Sequence, residues 1–293
     1  MKMHAPAPDN LYRHFIDLWE DTGPRYEIQQ AFWNRRAKAF SEQLNDDRHR
    51  RRFERLYGWL KDLGAFEGQA SILDIGCGPG TFAVPFAEAG HRVTGIDIAA
   101  NMIAHAKANA VRFGVSDRTA FEVAAWEEID VHSRGWERTF DLVFASMTPA
   151  IRNVDAFYKM MQVCRKACFL SGFVARRDPI LRRLRQALGL PSEGAPMNRI
   201  YAAFNLLWLD GYYPTVHFID DRWEQQFSIE EASERFSLFL RFQSMNETGL
   251  EERVARVLHE IAEEQGSSVL RQTVEVKIAW LYWRVDDRSR ERS

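Results

Sequence analysis

The residues best suited to chemistry lie in one stretch, Ile72-Leu73-Asp74-Ile75-Gly76-Cys77-Gly78-Pro79-Gly80-Thr81. An apolar run meets three closely spaced glycines and then a helical pattern. Glycines in such a turn adopt φ > 0 and let a ligand approach the backbone. Asp74 places a carboxylate just before the turn. Asp97 places another at the end of the next apolar run, where an acid accepts hydrogen bonds from ribose hydroxyls. A dinucleotide site would need Gly-x-Gly-x-x-Gly, with a helix N-terminus aimed at the pyrophosphate. The spacing here is Gly-x-Gly-x-Gly, and Pro79 stands where that backbone would meet phosphate. Asp74 also suits a cation better than a pyrophosphate. The ligand so described has a ribose, an ammonium and no phosphate.

S-adenosyl-L-methionine meets that description. Asp74-Ile75-Gly76-Cys77-Gly78-Pro79-Gly80 resembles the first motif of the class I S-adenosylmethionine-dependent methyltransferases, and Phe140-Asp141-Leu142-Val143-Phe144 resembles their fourth-strand motif. The resemblance implies an α/β fold, a Rossmann-like, doubly wound and mostly parallel seven-stranded sheet. It implies a helical segment at 1–66 acting as cofactor lid, and a core at 67–293 with a helical cap inserted after the fifth strand, near 190–217. Asp97 then binds the ribose, and Ile98 and Met102 pack on the adenine. The cofactor site expected from the resemblance comprises Trp33, Arg36, Asp74, Gly76, Cys77, Gly78, Gly80, Asp97, Ile98, Met102, Ala125, Trp126 and Ser146. The product would be S-adenosyl-L-homocysteine. One departure stands out. Many members carry an acid after the third strand that bonds the adenine amino group, and here the match is Ala124-Ala125-Trp126. Backbone near Trp126, or the Glu127 carboxylate, is left to do that work, and Trp126 either stacks on adenine or is an ordinary loop aromatic.

The segments expected to close the site flank the core. Phe32-Trp33-Asn34-Arg35-Arg36-Ala37 resembles a helix that lies over the cofactor in small-molecule methyltransferases. Trp33 would cover the sulfonium by cation–π contact, and Arg36 would pair with the methionyl carboxylate. The alternative makes Trp33 helix core and Arg36 a surface charge. After the fifth strand, Tyr201, Asn205 and Trp208 share one helical face. Tyr201 and Asn205 are expected to line the acceptor site opposite Ser146, against the alternative of a core helix. His217 is a candidate base or a structural histidine. Ser146-Met147-Thr148-Pro149 lacks the Pro-Pro-aromatic pattern of enzymes that methylate amide or base nitrogens. No His, Cys, Asp and Glu cluster has metal-ligand spacing, so no metal is expected.

The elements that must position these residues follow from periodicity. Residues 28–43 and 48–63 repeat apolar positions at helical spacing. The run Arg48-His49-Arg50-Arg51-Arg52 reads as a solvated helix face rather than a nucleic-acid patch. From Ser71, short apolar runs alternate with helical stretches as βαβ units do, with strands at 72–75, 93–96, 119–124, 140–145 and 167–174. Further helices are expected at 178–189, 201–209 and 249–264, a capping box at Ser228–Glu231, and strands at 213–219 and 273–285. With 293 residues, 46% of them hydrophobic, and a net charge of −2, the chain is globular and has no basic surplus for nucleic acid. It lacks a membrane-spanning run, and Met1 to Asn10 has no apolar core for a signal peptide. Cys77, Cys164 and Cys168 are too few for a disulfide framework, which points to the cytoplasm. The expected partner is a small molecule. An RNA- or protein-directed enzyme, a non-catalytic cofactor-binding subunit and a nicotinamide oxidoreductase remain as rivals.

Overall fold

Strands that are apolar on both faces can be covered only by helices above and below them, and that requirement shapes the molecule. The computed structural model describes residues 9–19, 26–190, 197–242 and 249–286. The elements run α1 (Asp9–Asp17), α2 (Tyr26–Glu42), α3 (Asp47–Asp62), β1 (Ser71–Ile75), α4 (Ala83–Glu88), β2 (Arg92–Asp97), α5 (Ala100–Arg112), β3 (Thr119–Val123), β4 (Phe140–Ser146), α6 (Val154–Val163) and β5 (Cys164–Arg177). There follow α7 (Pro179–Ala187), α8 (Arg199–Leu209), β6 (Thr215–Phe227), α9 (Ile229–Phe242), α10 (Leu250–Glu264) and β7 (Leu270–Arg284). The strand order is β3-β2-β1-β4-β5-β7-β6. The first five strands are parallel, and β7 runs antiparallel to both β5 and β6. This is the mostly parallel, seven-stranded, doubly wound sheet expected from the sequence.

One face of the sheet packs on α1, α6 and α8, with Phe157, Leu206 and Trp283 at its centre. The other packs on α3 and α4, with Leu56, Phe86 and Phe144. A third cluster joins α7, α9 and α10 beyond the far ends of β5, β6 and β7. Leu142, Val143, Phe144 and Ala145 in the central strand are fully buried. β3 departs from the expected all-apolar strand. It is an edge, and Ala120, Glu122 and Val123 are exposed along it.

The last three strands are longer than periodicity suggests. β5 and β7 extend together past Ser171 and Ala279, and β6 continues eight residues past Ile219 to Phe227. Exposure alternates along β6 from Phe218 to Phe227, because one face of this edge strand meets water. Ser228 and Glu231 form the expected capping box at the start of α9: the Glu231 amide donates to Ser228 Oγ at 3.1 Å and the Ser228 amide to Glu231 Oε2 at 3.0 Å. That box stops β6 and turns the chain back across the sheet, which brings α9 beside α2.

Candidate active site

Three backbone turns with positive φ, at Gly76 (70°), Gly78 (56°) and Gly80 (84°), carry the chain from β1 into α4. Gly76 is required twice over. Its φ disfavours a side chain, and a Cβ there would lie 2.0 Å from Thr148 Oγ1. Gly80 is a packing glycine, with a would-be Cβ 2.9 Å from Val84. At Gly78 nothing stands closer than 3.9 Å, so the backbone there is open to a ligand. The Gly76 and Cys77 amides both donate to the Ile96 carbonyl, at 2.8 and 3.0 Å. Asp97 completes the loop: Oδ2 accepts from the Gly78 amide at 3.0 Å and Oδ1 from the Ala99 amide at 2.8 Å. Each oxygen keeps a lone pair for a further donor. Burial is the main cause that pushes the Asp97 carboxyl up, and those two amides oppose it.

Asp74 sits beneath this loop, 2% exposed, and its Oδ2 has no hydrogen-bond partner. Burial, and then the nearby Asp97 charge, push its carboxyl from 3.8 up to about 8. A buried, unsatisfied carboxylate oxygen is costly unless a cationic donor reaches it.

The cover is α2. It is tied to the β2–α5 corner by Gln30 Nε2 donating to the Ile98 carbonyl at 2.9 Å and by the Asn101 amide donating to Asn34 Oδ1 at 2.9 Å. Trp33 and Phe40 thereby pack with Ile98 and Met102. The opposite wall is the end of β4. Ser146 Oγ and Ser171 Oγ lie 3.0 Å apart, and Ser171 Oγ also accepts from the Met147 amide at 3.1 Å. Met147 is held at φ 53°, a strained geometry for a side-chain-bearing residue.

The resulting cavity gathers most of the expected cofactor residues: Trp33, Asp74, Gly76, Cys77, Gly78, Asp97, Ile98, Met102, Ala125, Trp126 and Ser146 all line it, as does Glu127. Two expected residues do not line it. Gly80 lies behind the loop. Arg36, one turn from Trp33 on α2, turns its guanidinium onto its own helix, 5.3 Å from the Phe32 ring centre and 5.1 Å from that of Phe40. Trp126 is core rather than a free stacking plane. Its ring is 2% exposed, and its indole nitrogen donates to the Ala156 carbonyl at 2.9 Å.

The cap residues are also elsewhere. α8 packs on α1 and the sheet, and Tyr201, 56% exposed, edges against Phe15 of α1. Asn205 finds its partner in its own helix, donating to the Tyr201 carbonyl at 2.7 Å. His217 lies between Trp59 and Trp280, near Arg55. None of the three lines the cavity. The apolar face of α8 is explained by the sheet face it buries. Residues 191–196, within the expected cap, lie outside the described residues.

In their place stand residues that the sequence reading missed: Tyr26, Gln43, His49, Arg52 and Arg152. His49 and Arg52 hide in the basic run taken as a solvated face. Arg48, Arg50 and Arg51 do match that reading. His49, Arg52, Phe53 and Leu56 follow helical spacing onto the inner face, and that phase was the available signal. His49 Nε2 meets the Thr81 carbonyl at 2.9 Å, and burial lowers its pKa. Such an imidazole is neutral and donates its Nε2 proton, so its Nδ1 electron pair is free to accept one. Burial likewise lowers the pKa of Arg52, which rests over the Phe82 ring. Among the described residues Arg52 has no carboxylate within ion-pair distance, since Arg48 takes Asp221.

A glycine loop below the carboxyl ends of parallel strands, with an acid closing the second strand, defines a Rossmann-like nucleoside-binding protein. Residues 72–168 match the methyltransferase domain family. That segment, about a third of the chain, is similar to the methyltransferase domain and carries the glycine loop, Asp97 and the fourth strand. An uncharacterised protein of Haemophilus influenzae is 28% identical over 178 residues, covering 56% of this chain and 64% of the relative. The 23S rRNA (uracil(1939)-C(5))-methyltransferase of Photobacterium angustum is 29% identical over 125 residues, covering 43% of this chain and 52% of the relative. The chain thus spans less than two thirds of the length of either relative. Among solved structures, magnesium protoporphyrin IX methyltransferase from Synechocystis, with bound S-adenosylhomocysteine, superposes with a TM-score of 0.51 at 17% identity. It covers 66% of this chain and 92% of that one, a likeness of fold.

Proposed function

We propose that this chain binds S-adenosyl-L-methionine in the cavity under α2 and transfers its methyl group to a small molecule. The observation that carries the reading is Asp74 Oδ2, buried without a partner beneath a glycine loop open at Gly78. The cofactor's cationic methionine end supplies what that oxygen lacks. Asp97 is the ribose acceptor, and Ile98, Met102 and Trp33 provide the apolar walls for the adenine and sulfonium ends. Arg52, in the cavity and without a carboxylate partner, takes the methionyl carboxylate assigned from sequence to Arg36.

When bound, the cofactor supplies a methyl carbon already activated for displacement by a positive sulfur. The chain's own work is to align the acceptor and exclude water. Ser146, Met147 and Thr148 form the wall where the acceptor would lie, and His49 offers a neutral nitrogen for any proton that must leave. A net charge of −2 and a site covered by α2 support a small acceptor. Among the described residues no helix is long and apolar enough to cross a membrane. The three unpaired cysteines support a reducing compartment, the cytoplasm.

Calorimetry with S-adenosylhomocysteine and with nicotinamide dinucleotides tests the cofactor. Binding of a dinucleotide instead of S-adenosylhomocysteine would overturn the reading. The match to an rRNA methyltransferase favours a second reading, an RNA acceptor. Retention of the protein on rRNA at physiological salt, with methyl incorporation, would establish it over the first.

A further inference from the structure

The buried polar side-chain atoms without a hydrogen-bond partner are not spread evenly. Four of them, Arg176 Nε, Gln225 Oε1, Ser237 Oγ and Gln272 Oε1, belong to the far ends of β5, β6 and β7 and to α9 above them. Gln225 and Gln272 face each other in the β6–β7 register. Gln272 Nε2 donates to Asp178 Oδ2 at 2.9 Å, and Arg176 Nη2 donates to the same oxygen at 3.0 Å. The Arg176 guanidinium lies 5.7 Å from the ring centre of Phe239 on α9. Ser237, on the same helix, is 1% exposed.

Positive charge converges on this place. Arg235 of α9 sits 4.7 Å over the Phe227 ring, and Arg36 of α2 rests against Phe32 and Phe40. The guanidiniums of Arg36, Arg176 and Arg235 repel one another. Burial foremost, and then Arg235 and Arg176, push Arg36 down to about 10. Asp178 is the single carboxylate among them that forms an ion pair, and it also caps α7 through the Leu181 amide at 3.1 Å. Among the described residues neither Arg36 nor Arg235 has a carboxylate within ion-pair distance. Half-buried like charges are unfavourable, and an anion between them reverses the sign of the interaction. Arginine forks match oxyanions in particular.

The place also adjoins the cavity. Phe40, which carries Arg36 on its ring, lines the cavity. β5 runs from Ser171, bonded to Ser146, directly to Arg176. Resting on the proposed methyl transfer, we propose that Arg36, Arg176 and Arg235 form a subsite for a carboxylate or phosphate group of the methyl acceptor. Gln225, Gln272 and Ser237 bond hydroxyl or amine groups beside that anion. The acceptor is therefore an oxyanion-bearing small molecule.

The test uses the full chain and inorganic phosphate as probe. Phosphate should raise the melting temperature above that in sodium chloride of equal ionic strength. Arg36→Gln and Arg235→Gln should abolish the difference. Their unliganded melting temperatures should stay level or rise, because repulsion is relieved. Arg183→Gln, which breaks an exposed ion pair with Glu264, should keep the phosphate response. Equal effects of chloride and phosphate, or an unchanged response in both variants, would overturn the subsite. S-adenosylhomocysteine binding measured in the same samples separates that failure from failure of the cofactor reading. With acceptors paired as carboxylate and carboxamide, Arg235→Gln should raise KM for the carboxylates by about tenfold or more and leave the carboxamides unchanged. Equal effects on both members of each pair would overturn the acceptor assignment and make free phosphate the occupant.

Discussion

Asp74 is the residue whose chemistry is most exposed to measurement. The native fold holds its proton up to about pH 8, against 3.8 for a free side chain. The folded state therefore takes up a proton between those values. This group's contribution to stability falls as pH rises through that window and is constant above it. A cation prefers the ionised form, so cofactor binding expels the proton. Affinity for S-adenosylhomocysteine should rise with pH from 6 toward 8 and then level, by up to about one log unit per pH unit. Asp74→Asn should flatten that slope and weaken binding at pH 8.5 by about tenfold or more, as calorimetry across the pH series would read. Arg52 makes a separate prediction. Arg52→Gln should weaken S-adenosylhomocysteine about tenfold yet leave methylthioadenosine, which lacks the amino-acid end, unaffected. Arg36→Gln should leave both affinities unchanged. An Arg36 effect on S-adenosylhomocysteine alone would restore the assignment read from sequence.

Among the elements, α2 and α8 show what a sequence does and does not reveal. The β1 turn was legible because Gly76, Gly78 and Asp97 act within one βαβ unit, where spacing alone sets geometry. The amphipathic character of α2 was legible too, but its rotation was not. Trp33 and Arg36 are one turn apart on the same side of the helix, so spacing does not decide which side chain reaches the cavity; the packing of α2 against α5 and α9 does. α8 misled because an aromatic stripe looks the same whether it buries a ligand or a sheet. The extended ends of β5, β6 and β7 were missed because polar residues such as Arg176, Gln225 and Gln272 break the apolar signature there. Two measurements follow at this scale. S-adenosylhomocysteine should protect amides of 26–42 and 76–81 from hydrogen exchange and leave 199–209 unchanged. Leu206→Ala should cost about 2–5 kcal/mol in denaturant unfolding, as loss of a fully buried leucine does, while Tyr201→Phe and Asn205→Ala leave turnover unchanged. Lowered turnover with normal stability in those last two variants would return α8 to the acceptor site.

For the whole molecule, the three cysteines report on integrity. Cys77, Cys164 and Cys168 are 3%, 0% and 0% exposed, and burial pushes the Cys77 and Cys168 thiols up. Ellman's reagent should therefore find no reactive thiol in the native protein and three in denaturant. Saturating S-adenosylhomocysteine should slow the appearance of all three together, since a ligand of the native state stabilises every part of a cooperative fold. Rapid labelling of Cys77 alone would mean that the glycine loop opens by itself. One element joins the two proposed ligands. α2 carries Trp33 and Phe40, which line the cavity, and Arg36, which rests on the Phe40 ring, and a helix moves as one body. A ligand that pins one of these side chains removes the same freedom from the others. The two occupants must then raise each other's affinity by one shared factor. Saturating phosphate should sharpen cofactor binding, and saturating S-adenosylhomocysteine should sharpen phosphate binding by the same factor.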